Sequence, residues 1–246
     1  MVQTLMKNPR GHQKTVKVKT AKKRTSSSTR WLERQLNDPY VAQAKKLGYR
    51  SRATFKLLQL DEKLNLLKPG LRAVDLGCAP GGWVQVMIDK IQPQKTGGRV
   101  VGIDYLEMQP FEEATILQKD FTEPDAPDLL KAALGGKADL VVSDMAAPTT
   151  GHKRTDHLRI IALSELAYYF ARDVLNEGGA FLTKVFQGGS THELLTLLKK
   201  EFKTIKHIKP DASRSDSAEI YVVAQGFKGK DESLYPETYD EDDFYP

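Results

Sequence analysis

Short apolar runs alternate with amphipathic stretches through most of this 246-residue sequence, and this alternation constrains the fold more than any other feature. The apolar runs are continuous, as in parallel strands buried on both faces, whereas the intervening stretches carry apolar residues at helical spacing. The order predicts an α/β fold: a single doubly wound, Rossmann-like sheet, mostly parallel, with helices on both faces. The predicted strands are residues 71–77, 98–104, 137–144, 178–186, 203–210 and 219–227.

The last two runs, 203–210 and 219–227, have no helix between them and are predicted to form an antiparallel hairpin at one edge of the sheet. Ligands of doubly wound folds bind outside the carboxyl ends of the parallel strands. The amino end of an antiparallel last strand lies on that same side. We therefore expect Glu219 to join the residues that follow the parallel strands, namely 77–83, Asp104, Asp144 and Lys184.

Two helices are predicted before the first strand. Asp38 followed by Pro39 is typical of an N-cap with proline at the first helical position. Ser51 is predicted to cap a second helix over 52–67, which Pro69 and Gly70 would end.

Charge divides the chain into three parts. Residues 1–30 contain nine Lys and Arg and no acid, whereas residues 231–246 contain seven Asp and Glu and no base. We expect a disordered basic arm over 1–30, one domain over 31–228 and a disordered acidic tail over 229–246. The arm is predicted to bind RNA, with a solubility tail as the alternative.

Composition excludes several classes of protein. No stretch approaches the ~20 apolar residues of a membrane span, so no membrane partner is expected. The start of the sequence lacks the apolar run of a secretory signal, and the single cysteine, Cys78, permits no intrachain disulfide. The expected location is cytoplasmic.

A glycine-containing loop, residues 75–83, follows the first strand and opens a helix. Such glycines let the backbone approach a ligand. The position two after Gly77, where a dinucleotide fingerprint has glycine to admit pyrophosphate, is Ala79, which favours a nucleoside without phosphates. Asp104 would accept both ribose hydroxyls and Asp120 an adenine amino group. This set indicates S-adenosyl-L-methionine, although a simple turn role for Asp104 remains an alternative.

Segments 75–83, 143–148, 184–188 and 213–219 resemble those of the FtsJ/RrmJ family, and residues 50–56 resemble the segment that supplies the family's first lysine. The family consists of S-adenosylmethionine-dependent ribose 2′-O-methyltransferases, and the resemblance covers about residues 31–228. It implies a catalytic tetrad of Lys56, Asp144, Lys184 and Glu219. It also implies cofactor contacts at Gly81, Trp83, Asp104, Asp120 and Asp144.

The chemistry of that reaction explains these residue types. A ribose 2′-hydroxyl is a weak nucleophile, so alignment with the sulfonium methyl and removal of a proton are both required. Lys184 is the candidate proton acceptor, but a free lysine has a pKa of ~10.4. Lys56 would disfavour its charged form, whereas Asp144 and Glu219 would favour it and are expected to orient the lysines and the hydroxyl.

The resemblance to the bacterial branch implies a uridine in large-subunit ribosomal RNA, free or within the 50S subunit, methylated at a late stage of ribosome assembly. Transfer RNA or another RNA as substrate, or a non-catalytic RNA-binding assembly factor, are the alternatives. The histidines form no ligand pair, and no metal is expected. The segment after Asp144 lacks the aromatic residue typical of amino-group methyltransferases. The predicted RNA-binding cations include Arg30, Arg34, Lys45, Lys46, Arg50, Arg52, Lys153, Arg154 and Arg214.

Overall fold

The computed structural model describes residues 16–18, 20–148, 150–187 and 191–231. The helices are α1 (Ser26–Leu36), α2 (Pro39–Leu47), α3 (Thr54–Leu64), α4 (Gly82–Ile91), α5 (Pro93–Thr96), α6 (Ala126–Leu134), α7 (Lys153–Val174) and α8 (His192–Glu201). The strands are β1 (Arg72–Leu76), β2 (Arg99–Asp104), β3 (Thr115–Gln118), β4 (Ala138–Ser143), β5 (Leu175–Phe186), β6 (Phe202–Ile208) and β7 (Glu219–Phe227).

The seven strands form one sheet in the order β3-β2-β1-β4-β5-β7-β6. Strands β1 to β5 pair in parallel, and β7 pairs antiparallel with both β5 and β6. The predicted α/β class and the hairpin at one edge are confirmed. The strand order reverses between β1 and β4, and this switch point opens a crevice at the carboxyl ends of the parallel strands.

Helices cover both faces of the sheet, and each face has its own apolar core. Helices α6, α7 and α8 pack on one face, and α2, α3 and α4 pack on the other. Because successive strand residues point to opposite faces, Val74 and Leu76 of β1 enter the first core, whereas Ala73 enters the second. Asp75 therefore faces the layer of α3 and α4.

The start of α2 is as predicted, and that of α3 is not. Asp38 caps α2 by accepting a hydrogen bond from the Tyr40 N–H at 3.0 Å. The prediction that Ser51 caps the next helix was wrong: α3 begins at Thr54, and its N-cap residue, Ala53, makes no side-chain cap. The hydroxyl of Thr54 donates instead to the Gly82 carbonyl at 3.2 Å, so packing against α4 fixes this turn.

The boundaries predicted from charge fall near ordered elements. Helix α1 begins at Ser26 and so crosses residue 30, and the Asn37 side chain after it bonds both backbone groups of Val16. At the other end, the Asp231 N–H donates to the Glu201 carboxylate at 3.0 Å. Predictions about residues 1–15 and 232–246 lie outside the described residues. None of the helices among the described residues is both long and apolar enough to cross a membrane.

Candidate active site

A cavity of about 520 Å³ opens at the carboxyl ends of β1 to β4. Gly77 follows β1 on its wall, and three carboxylates predicted from the sequence, Asp104, Asp120 and Asp144, follow β2, β3 and β4. Much of the remaining wall is apolar. The lining residues include Ala79, Ile103, Tyr105, Leu106, Phe121, Met145, Ala146, Ala147, Pro148 and Leu163.

Asp104 serves as a turn residue and also lines this cavity. Its Oδ2 accepts a hydrogen bond from the Ala79 N–H of the glycine loop at 2.9 Å, and its Oδ1 accepts from the Leu106 N–H at 2.9 Å. The two roles considered from the sequence are therefore compatible, because each carboxylate oxygen can accept more than one hydrogen bond.

Asp120 also lines the cavity, and it is exposed. Its Oδ1 accepts hydrogen bonds from the Thr122 N–H at 2.9 Å and from the Thr122 hydroxyl at 2.8 Å. These bonds, the backbone one above all, lower the pKa of Asp120 because they favour its charged form. The rim therefore carries a fixed anion at neutral pH.

Gly81 and Trp83 lie away from this wall. Trp83 is buried, donates its Nε1–H to the Ala53 carbonyl at 2.8 Å, and lines a separate cavity of about 30 Å³. Gly81 is the N-cap of α4 with a φ of 103°, and a Cβ there would lie 2.8 Å from the Phe111 ring. The two cavities share Gly77, Ala79 and Asp144.

The four residues of the tetrad implied by the family resemblance meet around Asp144. Lys184 Nζ lies 3.1 Å from Asp144 Oδ1 and donates to the Asp144 backbone carbonyl at 2.8 Å. Lys56 Nζ lies 3.6 Å from Asp144 Oδ2 and 3.4 Å from Glu219 Oε2. Lys56 comes from α3, Lys184 from β5 and Glu219 from the start of β7, so the cluster depends on the antiparallel direction of β7.

Tyr221 is a fifth member that the sequence analysis missed. Its hydroxyl accepts a hydrogen bond from Lys56 Nζ at 2.9 Å and donates to Asp144 Oδ1 at 2.8 Å. Its position could have been predicted from its spacing, because Tyr221 is two residues after Glu219 and residues two apart on a strand point to the same face of the sheet. The apolar pattern of β7 concealed it.

The cluster shifts the pKa values of its own members. Burial alone would raise the pKa of Asp144, but the Lys184 and Lys56 charges and the Tyr221 hydroxyl outweigh it, and the pKa of Asp144 is lowered. Burial, followed by the negative charge of Asp144, holds the pKa of Tyr221 well above its ordinary value. At neutral pH the cluster therefore contains an anionic Asp144 and a neutral Tyr221.

Asp75 and Cys78 are buried residues of the glycine loop itself. Asp75 is 1% exposed, and neither of its carboxylate oxygens has a hydrogen-bond partner among the residues that the structure describes. Burial first, and then the charges of Asp144 and Asp104, raise the pKa of Asp75 well above its ordinary value. Burial also raises the pKa of the Cys78 thiol, which therefore remains a neutral packing group.

The predicted RNA-binding cations divide into two sets. Arg30, Lys45 and Lys46 are exposed on α1 and α2, and Arg34 is exposed with a 3.9 Å contact to Asp216. Arg50, by contrast, donates to three backbone carbonyls of this chain. Arg52 pairs with Asp38 at 2.7 Å and donates to the Ala212 carbonyl at 2.6 Å. Within the described residues, no three His, Cys, Asp or Glu side chains are placed to hold a metal ion.

The switch-point cavity and the polar cluster at its edge define a class, the doubly wound α/β proteins of Rossmann-like methyltransferase architecture. Comparisons with known proteins identify the family within this class. The family model of the FtsJ-like methyltransferases matches residues 49–227. The chain belongs to the FtsJ-like methyltransferase family, which confirms the resemblance found in the sequence.

Related proteins match nearly the whole chain. The ribosomal RNA large subunit methyltransferase E of Paramagnetospirillum magneticum is 64% identical over 220 residues, covering 89% of this chain and 90% of that protein. Its namesake from Parvibaculum lavamentivorans is 60% identical over 225 residues, covering 89% of each chain. A crystal structure of a ribosomal RNA methyltransferase from Plasmodium falciparum is 31% identical with a TM-score of 0.65, covering 74% of this chain and 100% of that one.

Proposed function

We propose that this protein transfers a methyl group from S-adenosylmethionine to the ribose 2′-hydroxyl of a uridine in large-subunit ribosomal RNA. The observation that carries the proposal is the position of Asp144, which lines the large cavity and also contacts Lys56 and Lys184. A methyl donor bound in the cavity and a hydroxyl held at the lysines would thus meet at one carboxylate.

The cavity suits the nucleoside part of S-adenosylmethionine. Its volume of about 520 Å³ is that of a small-molecule site, and its apolar walls carry a few polar groups that would orient the ligand. Asp104 would hold the ribose hydroxyls, and Asp120, which also lines the cavity, would accept from the adenine amino group. Gly81 and Trp83 lie beside the smaller cavity, where they would bound the amino-acid part. The bound cofactor supplies an electrophilic methyl group.

The two lysines have different surroundings, and this difference supports different roles. Lys56 Nζ has three acceptors within 3.6 Å, the Tyr221 hydroxyl, Glu219 and Asp144, and these match the three N–H groups of an ammonium ion. Among the described residues, Lys184 Nζ has two, Oδ1 and the carbonyl oxygen of Asp144. A further contact at this amine is therefore open to the substrate hydroxyl, and we assign Lys184 as its proton acceptor.

Alignment would supply the rest of the catalysis. Asp144 fixes Lys184 through two oxygens, and Glu219 with Lys56 would bind the ribose hydroxyls beside it. Holding two reactants in line removes much of the entropic cost of their encounter. No step in this scheme requires a metal ion, and chelation is expected to leave the reaction unchanged.

The choice of RNA rests on the relatives. Proteins about 60% identical over nearly the full chain bear names that specify the large ribosomal subunit, and the exposed cations of α1 and α2 offer phosphate contacts. Methylation at a late assembly stage would follow if the 50S subunit, rather than free RNA, is the better substrate.

A transfer assay with labelled S-adenosylmethionine tests the substrate. The acceptors are 50S subunits, free large-subunit RNA and transfer RNA, each isolated from cells that lack this activity and compared at equal concentration. The proposal expects incorporation approaching one methyl group per 50S particle or per large-subunit RNA, and little into transfer RNA. Preferential labelling of transfer RNA would support the alternative substrate, and no labelling of any RNA would support a non-catalytic binding protein.

A further inference from the structure

Residues 105–111, here called the cover segment, begin at the wall of the large cavity and belong to no helix or strand. The segment follows Asp104 at the end of β2, and its first two residues, Tyr105 and Leu106, line the cavity. Both side chains are more than half exposed. Because these two side chains are exposed, the position of this wall depends on contacts made further along the segment, including the packing of Met108 and Phe111 against the core.

Arg50 is anchored at the base of this wall. Its backbone N–H donates to Gln85 Oε1 at 2.7 Å, and Gln85 Nε2 donates to the Gly48 carbonyl at 3.1 Å. Gln85 belongs to α4, the helix that the glycine loop opens. The backbone around Arg50 is thus hydrogen-bonded to α4, the helix that follows the glycine loop.

The Arg50 guanidinium joins the cover segment to the glycine loop. Nη1 donates to the Gln109 carbonyl at 2.6 Å and to the Pro80 carbonyl at 3.4 Å, and Nη2 donates to the Pro110 carbonyl at 3.1 Å. The guanidinium carbon also lies 3.6 Å from the centre of the Phe111 ring. In the described part of the chain, these are the hydrogen bonds that residues 107–111 make.

Gly81 lets these groups come together. A Cβ at this position would lie 2.8 Å from the Phe111 ring and 3.0 Å from Arg50 Nη1, so the glycine loop, the ring and the guanidinium form one packed unit. A side chain at Gly81 would displace the cover segment.

We propose that Arg50 is a positioning residue for the cofactor, a clamp that holds the cover segment against the glycine loop and so sets the cavity wall at Tyr105 and Leu106. The inference rests on the proposed use of this cavity for S-adenosylmethionine. It replaces the phosphate contact expected for Arg50 from the sequence, because the guanidinium donates to carbonyls of its own chain.

The substitution Arg50→Lys distinguishes a clamp on the cover segment from a contact with an RNA phosphate. Lysine keeps the positive charge that an RNA phosphate needs but lacks the planar fork that reaches three carbonyls at once. We expect the dissociation constant for S-adenosylhomocysteine, measured by calorimetry without RNA, to rise about tenfold, as for the loss of a charged hydrogen bond. RNA affinity measured without cofactor should stay near that of the wild type, because the positive charge is retained.

Kinetics and amide exchange exclude a general loss of structure. In Arg50→Lys the KM for the cofactor should rise by the same factor, while kcat at saturating cofactor stays near that of the wild type. Amide exchange should accelerate in 105–111 and remain unchanged in β1. Phe111→Leu should weaken cofactor binding in the same direction and combine with Arg50→Lys less than additively, because both substitutions disrupt the same packing of ring and guanidinium.

Unchanged cofactor affinity in Arg50→Lys and Arg50→Ala, together with weaker RNA binding in Arg50→Ala, would overturn the clamp and restore the phosphate contact. Failure of the proposed function would look different, since the wild type itself would then bind no cofactor. Exchange in 105–111 would still show whether Arg50 holds the segment.

Discussion

At the scale of single residues, Asp144 connects the cavity with the polar cluster, because it contacts both. It accepts from the Tyr221 hydroxyl at 2.8 Å, lies within 3.6 Å of both lysines, and forms part of the cavity wall. Its lowered pKa keeps it anionic, and an anion there holds Lys56 and Lys184 in place. Loss of this charge would remove the carboxylate that both buried lysines share, and leaving buried polar groups without their partner is costly in a poorly solvated site.

Lys184→Ala is expected to abolish most methyl transfer while leaving cofactor affinity nearly unchanged. Lys184 contacts Asp144, whereas the nucleoside of the cofactor is proposed to contact Asp104 and Asp120. Loss of a general base costs about 10²–10⁴ in rate. Single-turnover rates with the RNA bound and the enzyme in excess provide the measurement, and Lys206→Ala, at an exposed position of β6, is the control. Turnover close to that of the wild type would exclude Lys184 as the proton acceptor.

Asp75 makes stability depend on pH in a defined direction. Its pKa is raised in the folded protein, so the folded state binds this proton more tightly than the unfolded chain, and stability falls as the pH rises above about 4. Asp75→Asn removes this titration and keeps the shape. We expect the stability difference between the variant and the wild type to increase in favour of Asn between about pH 4 and pH 7.

Urea unfolding of both proteins at several pH values tests the role of Asp75. Asp144 and Asp104 are present in both proteins, so their titration largely cancels in the difference. A stability difference that does not change with pH, or one that moves in favour of the wild type, would contradict the raised pKa.

Asp144, Lys184 and Glu219 were predictable together because strand topology places the corresponding strand ends on one side of the sheet. Lys56 lies in helix α3, and only the family resemblance pointed to it. The part that Tyr221 takes in the cluster and the hydrogen bonds from Arg50 to backbone carbonyls could not be predicted in this way. Sequence patterns assign residues to faces, but they do not show which polar atoms meet. Arg50 in particular looks like any exposed cation until its carbonyl partners are known.

At the scale of elements, the helices before β1 support the loop that leads to Glu219. Asp38 caps α2 and also contacts Arg52 at 2.7 Å and Arg214 at 3.6 Å. Arg52 donates to the Ala212 carbonyl, and the Ala212 N–H donates to Gln59 Oε1 at 2.8 Å. The segment between β6 and β7 is therefore fastened to α3, and Glu219 follows it.

Asp38→Ala should remove the cap and the ion pairs together, and loss of an N-cap alone costs about 0.5–2 kcal/mol. Asp38→Asn keeps a capping oxygen and should be less destabilised. Asp216→Ala, which removes only the exposed ion pair with Arg34, is the control and should stay within about 0.5 kcal/mol of the wild type. Denaturant unfolding measures all three, and equal effects of Asn and Ala would contradict a separate contribution from the cap.

Six of the strands and the main helices flanking them followed from apolar periodicity, since burial on both faces leaves a continuous apolar run. Strand β3 was not delimited from the sequence, because its four residues are only partly buried or exposed. The ends of α3 did not follow. Ser51 has the residue type of a cap, yet the first turn of α3 is set by the approach of Gly82 on α4, a contact between segments distant in sequence. Similarly, α3 ends at Leu64 because Asn65 adopts a φ of 52°, before Pro69 is reached.

At the scale of the whole molecule, charge is distributed along the chain in a way that suits a polyanionic substrate. The sequence carries 37 basic and 32 acidic residues, with the excess of positive charge at the N-terminal end. Exposed cations of α1 and α2 continue this excess onto the layer of helices that contains Lys56. We propose that the basic arm and these helices bind RNA phosphates around the site.

Deletion of residues 1–24 tests this proposal without cutting α1, because Thr25 is its N-cap. The deletion removes eight Lys and Arg. RNA affinity should fall, and the slope of log affinity against log salt should decrease in magnitude by about 0.7–0.9 for each phosphate that the shortened protein no longer neutralises. Cofactor affinity should not change. Coincident salt slopes for the full-length and shortened proteins would make the arm a solubility tail.

The position of the transferred methyl group tests the central claim most directly. A methyl group on the 2′-oxygen blocks alkaline cleavage of the adjacent phosphodiester, whereas a methyl group on the base does not. After reaction with labelled S-adenosylmethionine and large-subunit RNA, alkaline hydrolysis should leave the label in a resistant dinucleotide, and enzymatic digestion should yield 2′-O-methyluridine. Label recovered in mononucleotides, or in a base-methylated nucleoside, would contradict the account.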